Sequence, residues 1–238
     1  MSKHDARYLV MGRQPWNRGH FDRFLRGRSG DWDFCGDTDS FTKSADKIGQ
    51  YDYVFVLHWS HKIETAILDQ TPFVCFHMTD VPFGRGGSPL QNLIARGHRS
   101  TRLTALRMTP QFDAGPVYLK RDLSLEGGTA EEIYVRASSL ACSMAIEIAE
   151  KRPVALDQTG DPVVFKRRKP ADSELPIEPA DLMSVFDHIR MLDAEGYPRA
   201  FLEIGNLRIE FDRAALYHKC IKTDAVIRLL NDQDRGNG

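Results

Sequence analysis

Cysteine is sparse in this sequence, and its four copies, Cys35, Cys75, Cys142 and Cys220, form no C-x-x-C pair. Such spacing offers neither a zinc knuckle nor a disulfide framework. No apolar run reaches the roughly 20 residues that a membrane helix needs, and the start, Met1-Ser-Lys-His-Asp5, has no apolar signal-peptide core. A charge excess is missing too: Lys and Arg number 32, Asp and Glu 33, and the formal net charge is -1. A chain so balanced carries no overall field to attract nucleic acid. The dinucleotide fingerprint G-x-G-x-x-G is absent, as are internal repeats and low-complexity segments. These absences lead to the expectation of a soluble, cytoplasmic protein of a reducing compartment, with no membrane or nucleic-acid partner.

What is present is a stretch from Phe73 to Asn92 that organises its surroundings. Phe73-Val-Cys-Phe76 is apolar, prone to β structure and too short for a helix. Strand alternation puts Cys75 and His77 on one face. Pro82, Gly84, Gly86 and Gly87 then argue against regular structure. Ser88-Pro89 restarts the chain as a helix, with Ser88 read as N-cap and Pro89 as its first residue. His77 thus stands at the carboxyl end of a strand, the edge where open α/β sheets bind ligands. On the residues alone, such a histidine either serves a ligand or is satisfied by loop carbonyls.

The stretch resembles the formyl-transfer segment of the folate-dependent formyltransferases, a family that includes methionyl-tRNA formyltransferase and the aminosugar N-formyltransferases. The family pattern runs Asn-x-His, a Pro, a Gly-containing loop and a helix. His77, Pro82, Gly86 and Pro89 fall on it, while the family's Asn falls on Cys75. A second block, Thr101-Arg-Leu-Thr104 followed by Asp113-Ala-Gly115, resembles the family's Thr-Gly-Val-Thr and Asp-x-Gly. Without the resemblance, Asp113 would read as a solvated turn former.

The resemblance implies an α/β fold with a Rossmann-like, mostly parallel sheet and a small C-terminal α+β appendage. It implies transfer of a formyl group from N10-formyltetrahydrofolate to an amine. His77 is the proton-handling group, Asp113 its orienting carboxylate, and Cys75 the residue in the place of the oxyanion donor. Thr79, His58 and the loop amides are the candidates to replace that donor, because a thiol donates only weakly. Folate binding falls to His58, Trp59, Ser60, His61, Pro82, Phe112 and Asp113. Gly12, Arg85, Gly86, Gln91 and Arg190 are the acceptor-binding candidates, with Arg85 or Arg190 placed to meet phosphates. Two histidines three apart, His58 and His61, also fit a metal pair, but no Asp, Glu or Cys cluster completes a ligand set, so no metal is expected.

The rest of the chain supports an alternation of strands and helices. Strands are expected at Tyr8–Met11, Asp31–Phe34, Tyr53–Leu57, Leu103–Met108 and from Val117. Helices are expected at Asn17–Arg26, Ser40–Ile48 and Ile63–Leu68. Thr129 and Glu132 form a capping box for a helix reaching Lys151. The basic run Lys166-Arg-Arg-Lys169 reads as solvated, or as a site for a phosphate partner. Residues 1–169 are expected to form the catalytic domain, 170–179 a linker, and 180–238 a small helix-and-hairpin region. In that region a helix over Asp181–Leu192 precedes strands Ala200–Ile204 and Leu207–Phe211, joined at Gly205-Asn206. The expected acceptor is a small amine, a nucleotide-linked amino sugar being favoured, and a dimer is the favoured state of any oligomer. Charge balance and the short C-terminal region weigh against tRNA formylation. Hydrolysis of formyl-folate and a non-catalytic folate-binding role stay open beside transfer.

Overall fold

A computed structural model describes residues 6–59 and 61–230. The chain forms two compact units. One holds the described residues up to Gly86, Thr101–Leu123 and Val135–Val164; the other holds Gly87–Ser100, Ser124–Tyr134 and the described residues from Phe165 onward.

The first unit is built on a six-stranded sheet. Its strands are β1 (Arg7–Gly12), β2 (Asp31–Cys35), β3 (Tyr53–Leu57), β4 (Phe73–His77), β6 (Ser100–Arg107) and β7 (Val117–Ser124), in the order β2-β1-β3-β4-β6-β7. Strands β2, β1, β3 and β4 run parallel, and β6 runs antiparallel to β4. Strand β3 is Tyr-Val-Phe-Val-Leu, and four of its five residues are buried. An unbroken apolar run is what a central parallel strand covered on both faces requires. Leu9, Met11, Val54, Val56 and Phe73 meet in one core cluster with Phe41 and Ile48, and Cys75 packs against it.

Three helices punctuate the early strands: α1 (Pro15–His20), which widens into a π turn at Phe21–Leu25, α2 (Thr38–Ser44) and α3 (Thr65–Leu68). The glycine-bearing loop after β4 is more regular than its composition suggests. Phe83–Gly86 forms a short strand, β5, paired with β8 (Val163–Phe165). Backbone hydrogen bonds to a second segment hold that stretch extended, and no local signal announces them.

The second unit contains α4 (Pro89–Ile94), the first turn of α5 (Ala130–Lys151), α6 (Leu182–Arg190) and the sheet β11-β10-β9. Pro89 opens α4 as expected, but Ser88 sits in the left-handed region at φ 50° with no side-chain cap. Its Oγ accepts instead from the Arg168 amide at 3.2 Å. The α5 capping box forms: the Thr129 amide donates to Glu132 Oε2 at 2.7 Å and the Glu132 amide to Thr129 Oγ1 at 3.3 Å. Strands β9 (Ala200–Ile204) and β10 (Leu207–Leu216) make the hairpin around Gly205-Asn206, with Ile204 opposite Leu207. A further strand, β11 (Ile221–Leu229), pairs antiparallel with β10. It is mostly exposed, although Ile221, Ala225, Ile227 and Leu229 alternate along it with Lys222, Asp224 and Arg228.

Candidate active site

His77 closes β4 and lies opposite Thr104 of β6, while Cys75 lies between Val56 of β3 and Leu106 of β6. The His77 side chain is only 9% exposed. Its Nε2 stands 2.8 Å from the Gly84 carbonyl oxygen. A carbonyl only accepts, so the proton of the neutral ring is assigned to Nε2. Nδ1 faces Asp113 Oδ1 at 3.4 Å. In the neutral ring this sets one acceptor against another. A proton arriving at Nδ1 turns the contact into an ion pair, so the site is arranged to take a proton at that atom.

Asp113 is fixed from several sides. Its Oδ2 accepts from the Gly86 amide at 2.9 Å, and its carbonyl accepts from Gln158 Nε2 at 2.9 Å. Its φ of 54° lies in the left-handed region, which Asp tolerates better than most residues. The turn also depends on Gly115: a Cβ there would fall 1.9 Å from the Arg107 carbonyl oxygen.

Cys75 makes a poor nucleophile. Burial, and then the charge of Asp113, push its thiol far above the ordinary range. With its side chain packed on the hydrophobic core, it fills space beside His77. The Thr79 hydroxyl donates to the Gly84 carbonyl at 3.1 Å, so its proton is not directed at a ligand.

The segment after β3 divides its side chains. Desolvation lowers the His58 imidazole to about 4. Its ring meets Trp16 edge-on, and it lines a small cavity with Leu57, Phe76, Met78 and Ser138. Trp59 packs edge-on against Phe41. His61 is exposed, and its Nε2 accepts from Arg13 Nη1 at 2.5 Å. Ser60 lies outside the described residues. Pro82 follows a cis peptide bond, and Phe112, beside Asp113, is 69% exposed. Arg85, on β5, donates through Nε and Nη2 to Gln158 Oε1 at 3.0 and 2.7 Å.

Three residues expected to meet the acceptor are placed otherwise. Gly12 is buried, and a Cβ there would lie 2.8 Å from the Asn17 side chain, so its smallness serves packing. Gln91 is fully buried: its Nε2 donates to the Tyr134 hydroxyl and the Met191 carbonyl, and its Oε1 accepts from the Tyr197 hydroxyl. Arg190 is buried with its Nε on Asp187 Oδ1 at 2.6 Å and its Nη1 on the Leu125 and Gly128 carbonyls. A buried charge needs such partners, and here they serve the second unit rather than a ligand. Gln158 and the Gly84 carbonyl, in contrast, are site groups that sequence did not reveal. Neither carries a local signal, because each acts through a partner brought close by folding.

A family model described as methionyl-tRNA formyltransferase, C-terminal domain, matches residues 170–228. The solved methionyl-tRNA formyltransferase from Clostridium thermocellum is 40% identical, with a TM-score of 0.89 over 94% of this chain and 99% of that one. A curated methionyl-tRNA formyltransferase from Rickettsia massiliae is 29% identical over 122 residues, which cover 49% of this chain and 40% of that relative. This chain therefore spans well under two thirds of the length of that curated relative. HypX from Aquifex aeolicus, solved with tetrahydrofolic acid, shares the fold at 16% identity and a TM-score of 0.71 over 88% of this chain and 38% of that one.

These likenesses overturn the expectation of a small acceptor and no nucleic-acid partner. The segment read as too short for a tRNA enzyme matches the C-terminal domain of such enzymes. A balanced net charge does not report local charge: Lys166, Arg167 and Lys169 stand exposed in one run within a chain of formal charge -1. With the His77–Asp113 pair, the fold and a 40% identical relative covered almost end to end, the chain belongs to the formyltransferase family.

Proposed function

We propose that this chain transfers a formyl group from N10-formyltetrahydrofolate to the amine of methionyl-tRNA. The observation that carries the chemistry is the facing of His77 Nδ1 and Asp113 Oδ1 at the carboxyl end of β4. The acceptor is taken from the likeness to methionyl-tRNA formyltransferases across most of the chain.

The formyl donor would rest against Trp59, His61, Pro82 and Phe112. The exposed Phe112 ring beside Asp113 suits a flat, conjugated ring. When bound, the donor supplies the carbon that the amine attacks. Gly84 holds the ring of His77 by Nε2, which leaves Nδ1 to take the proton of the attacking amine and to pass it to the departing donor nitrogen as the bond from that nitrogen to the formyl carbon breaks. Asp113 Oδ1 then stabilises the charged ring, and the Gly86 amide keeps that carboxylate oriented through Oδ2. Arg85 keeps guanidinium N–H groups beyond the two held by Gln158, and these would meet phosphate. Lys166, Arg167 and Lys169 would neutralise further phosphates. In this reading residues 1–169 carry the chemistry, and 180–238, beyond the 170–179 connection, help to hold the acceptor.

The test incubates the protein and 10-formyltetrahydrofolate with methionyl-tRNA, with a nucleotide-linked amino sugar, or with no acceptor. Formylmethionyl-tRNA should accumulate, and tRNA affinity should fall steeply with salt. Formylation of the sugar alone would replace the acceptor. Equal formate release without acceptor would mean hydrolysis, and donor binding without turnover would end the enzymatic reading.

A further inference from the structure

Gln158 lies in the segment between α5 and β8, far in sequence from both motifs of the site. Its Nε2 donates to the Asp113 carbonyl at 2.9 Å and to the Gly115 carbonyl at 2.8 Å. Its Oε1 accepts from Arg85 Nε at 3.0 Å and Nη2 at 2.7 Å. Two carbonyls on one side and a guanidinium on the other leave a single consistent orientation for the amide. The backbone on either side is held: Leu156 and Val117 exchange bonds at 2.9 and 2.7 Å, and the Val163 amide donates to the Pro82 carbonyl at 3.1 Å. From this held segment the side chain therefore ties the Asp113–Gly115 turn to Arg85 of β5.

We propose that Gln158 is a positioning residue that sets the catalytic Asp113 turn and the phosphate-meeting Arg85 together. This rests on the roles given to Asp113 and Arg85 above. Only a side chain with both donors and an acceptor can serve both the turn and Arg85. Asn has both but is one methylene shorter. Glu cannot donate to the two carbonyls, and Lys cannot accept from Arg85. The amide thus couples seating of the acceptor to alignment of the carboxylate beside His77.

Gln158→Glu and Gln158→Lys separate these two functions. Gln158→Glu keeps the acceptor for Arg85 but turns lone pairs toward the Asp113 and Gly115 carbonyls. It should lower kcat by about 10–100-fold, with the KM for acceptor changed by less than about threefold. Gln158→Lys keeps a donor for the carbonyls but sets a cation beside Arg85. It should raise the acceptor KM by about tenfold or more, with kcat nearly retained. A readout without substrate is hydrogen exchange at the Gly86 amide, whose partner is Asp113 Oδ2. Exchange there should quicken by about tenfold in Gln158→Glu and stay near wild type in Gln158→Lys.

Two variants that depress kcat and raise KM in the same proportion as they lose thermal stability would reduce Gln158 to a structural brace. Wild-type kinetics and wild-type Gly86 exchange in both would overturn the proposal outright. If the unmutated protein formylates nothing, the functional reading falls alone, and unchanged Gly86 exchange in Gln158→Glu still decides against the positioning role.

Discussion

At His77 the chemistry depends on which ring nitrogen is held. The Gly84 carbonyl takes Nε2, so Nδ1 meets Asp113 and becomes the basic atom. The neighbouring thiol contributes little, since burial and the Asp113 charge keep Cys75 protonated. His77→Ala and Asp113→Asn should each lower formyl transfer by about a thousandfold or more, with donor affinity within a few-fold of wild type. Cys75→Ala should keep turnover within about tenfold. Single-turnover kinetics with donor binding measured by fluorescence would check all three. A loss in Cys75→Ala as large as in His77→Ala would show the thiol acting in the chemistry. His77, Cys75 and Asp113 are all visible as residues from their motif. The tautomer is not, because it is set by a carbonyl seven positions away whose direction only the folded loop fixes.

At the scale of elements, the Asp113–Gly115 turn shows how backbone geometry holds a carboxylate. A Cβ added to Gly115 would meet the Arg107 carbonyl oxygen at 1.9 Å and Thr109 Cγ2 at 3.0 Å. Backbone at that distance does not yield as a flexible side chain would. Gly115→Ala should therefore destabilise the protein by about 3 kcal/mol and uncouple Asp113 from His77. Urea unfolding would measure the first effect and turnover at saturating substrates the second. A variant of wild-type stability and rate would mean that the turn has other ways to close. The Asp-x-Gly pattern announces this turn in sequence, whereas Gln91 and Arg190 mislead. Their polar groups suggest ligand contact, yet each is buried and bonded within the second unit.

At the scale of the whole molecule, two half-buried, desolvated histidines should make stability depend on pH. His58 is lowered by desolvation from 6.5 to about 4, and His188 is also lowered by burial. Between those values the unfolded chain binds protons that the folded chain refuses, so stability rises with pH. The contribution is complete above about 6.5 and is lost as pH falls toward 4. For His58 it amounts to at most about 3 kcal/mol. Urea midpoints should fall between pH 7.5 and pH 5, and His58→Gln should flatten that slope. An equal slope in the variant would assign the effect to other groups.

Sequence by itself determined the elements whose causes lie within a few residues. These include the unbroken apolar β3, the Thr129–Glu132 cap of α5 and the Gly205-Asn206 hairpin, because periodicity, caps and turns act locally. It also pointed, through two motifs in the right order, to the histidine and the aspartate on which the proposed chemistry rests. Tertiary structure alone decided the partners. Gln158 reaches Asp113 across 45 positions, Gly115 is pinned by Arg107, and Gly12 is buried against Asn17. β5 exists because β8 pairs with it, and exposed β11 because β10 does. A hydrogen bond formed by chain closure has no signature in the residues next to it, so only the fold could reveal which polar groups serve the site and which serve the core.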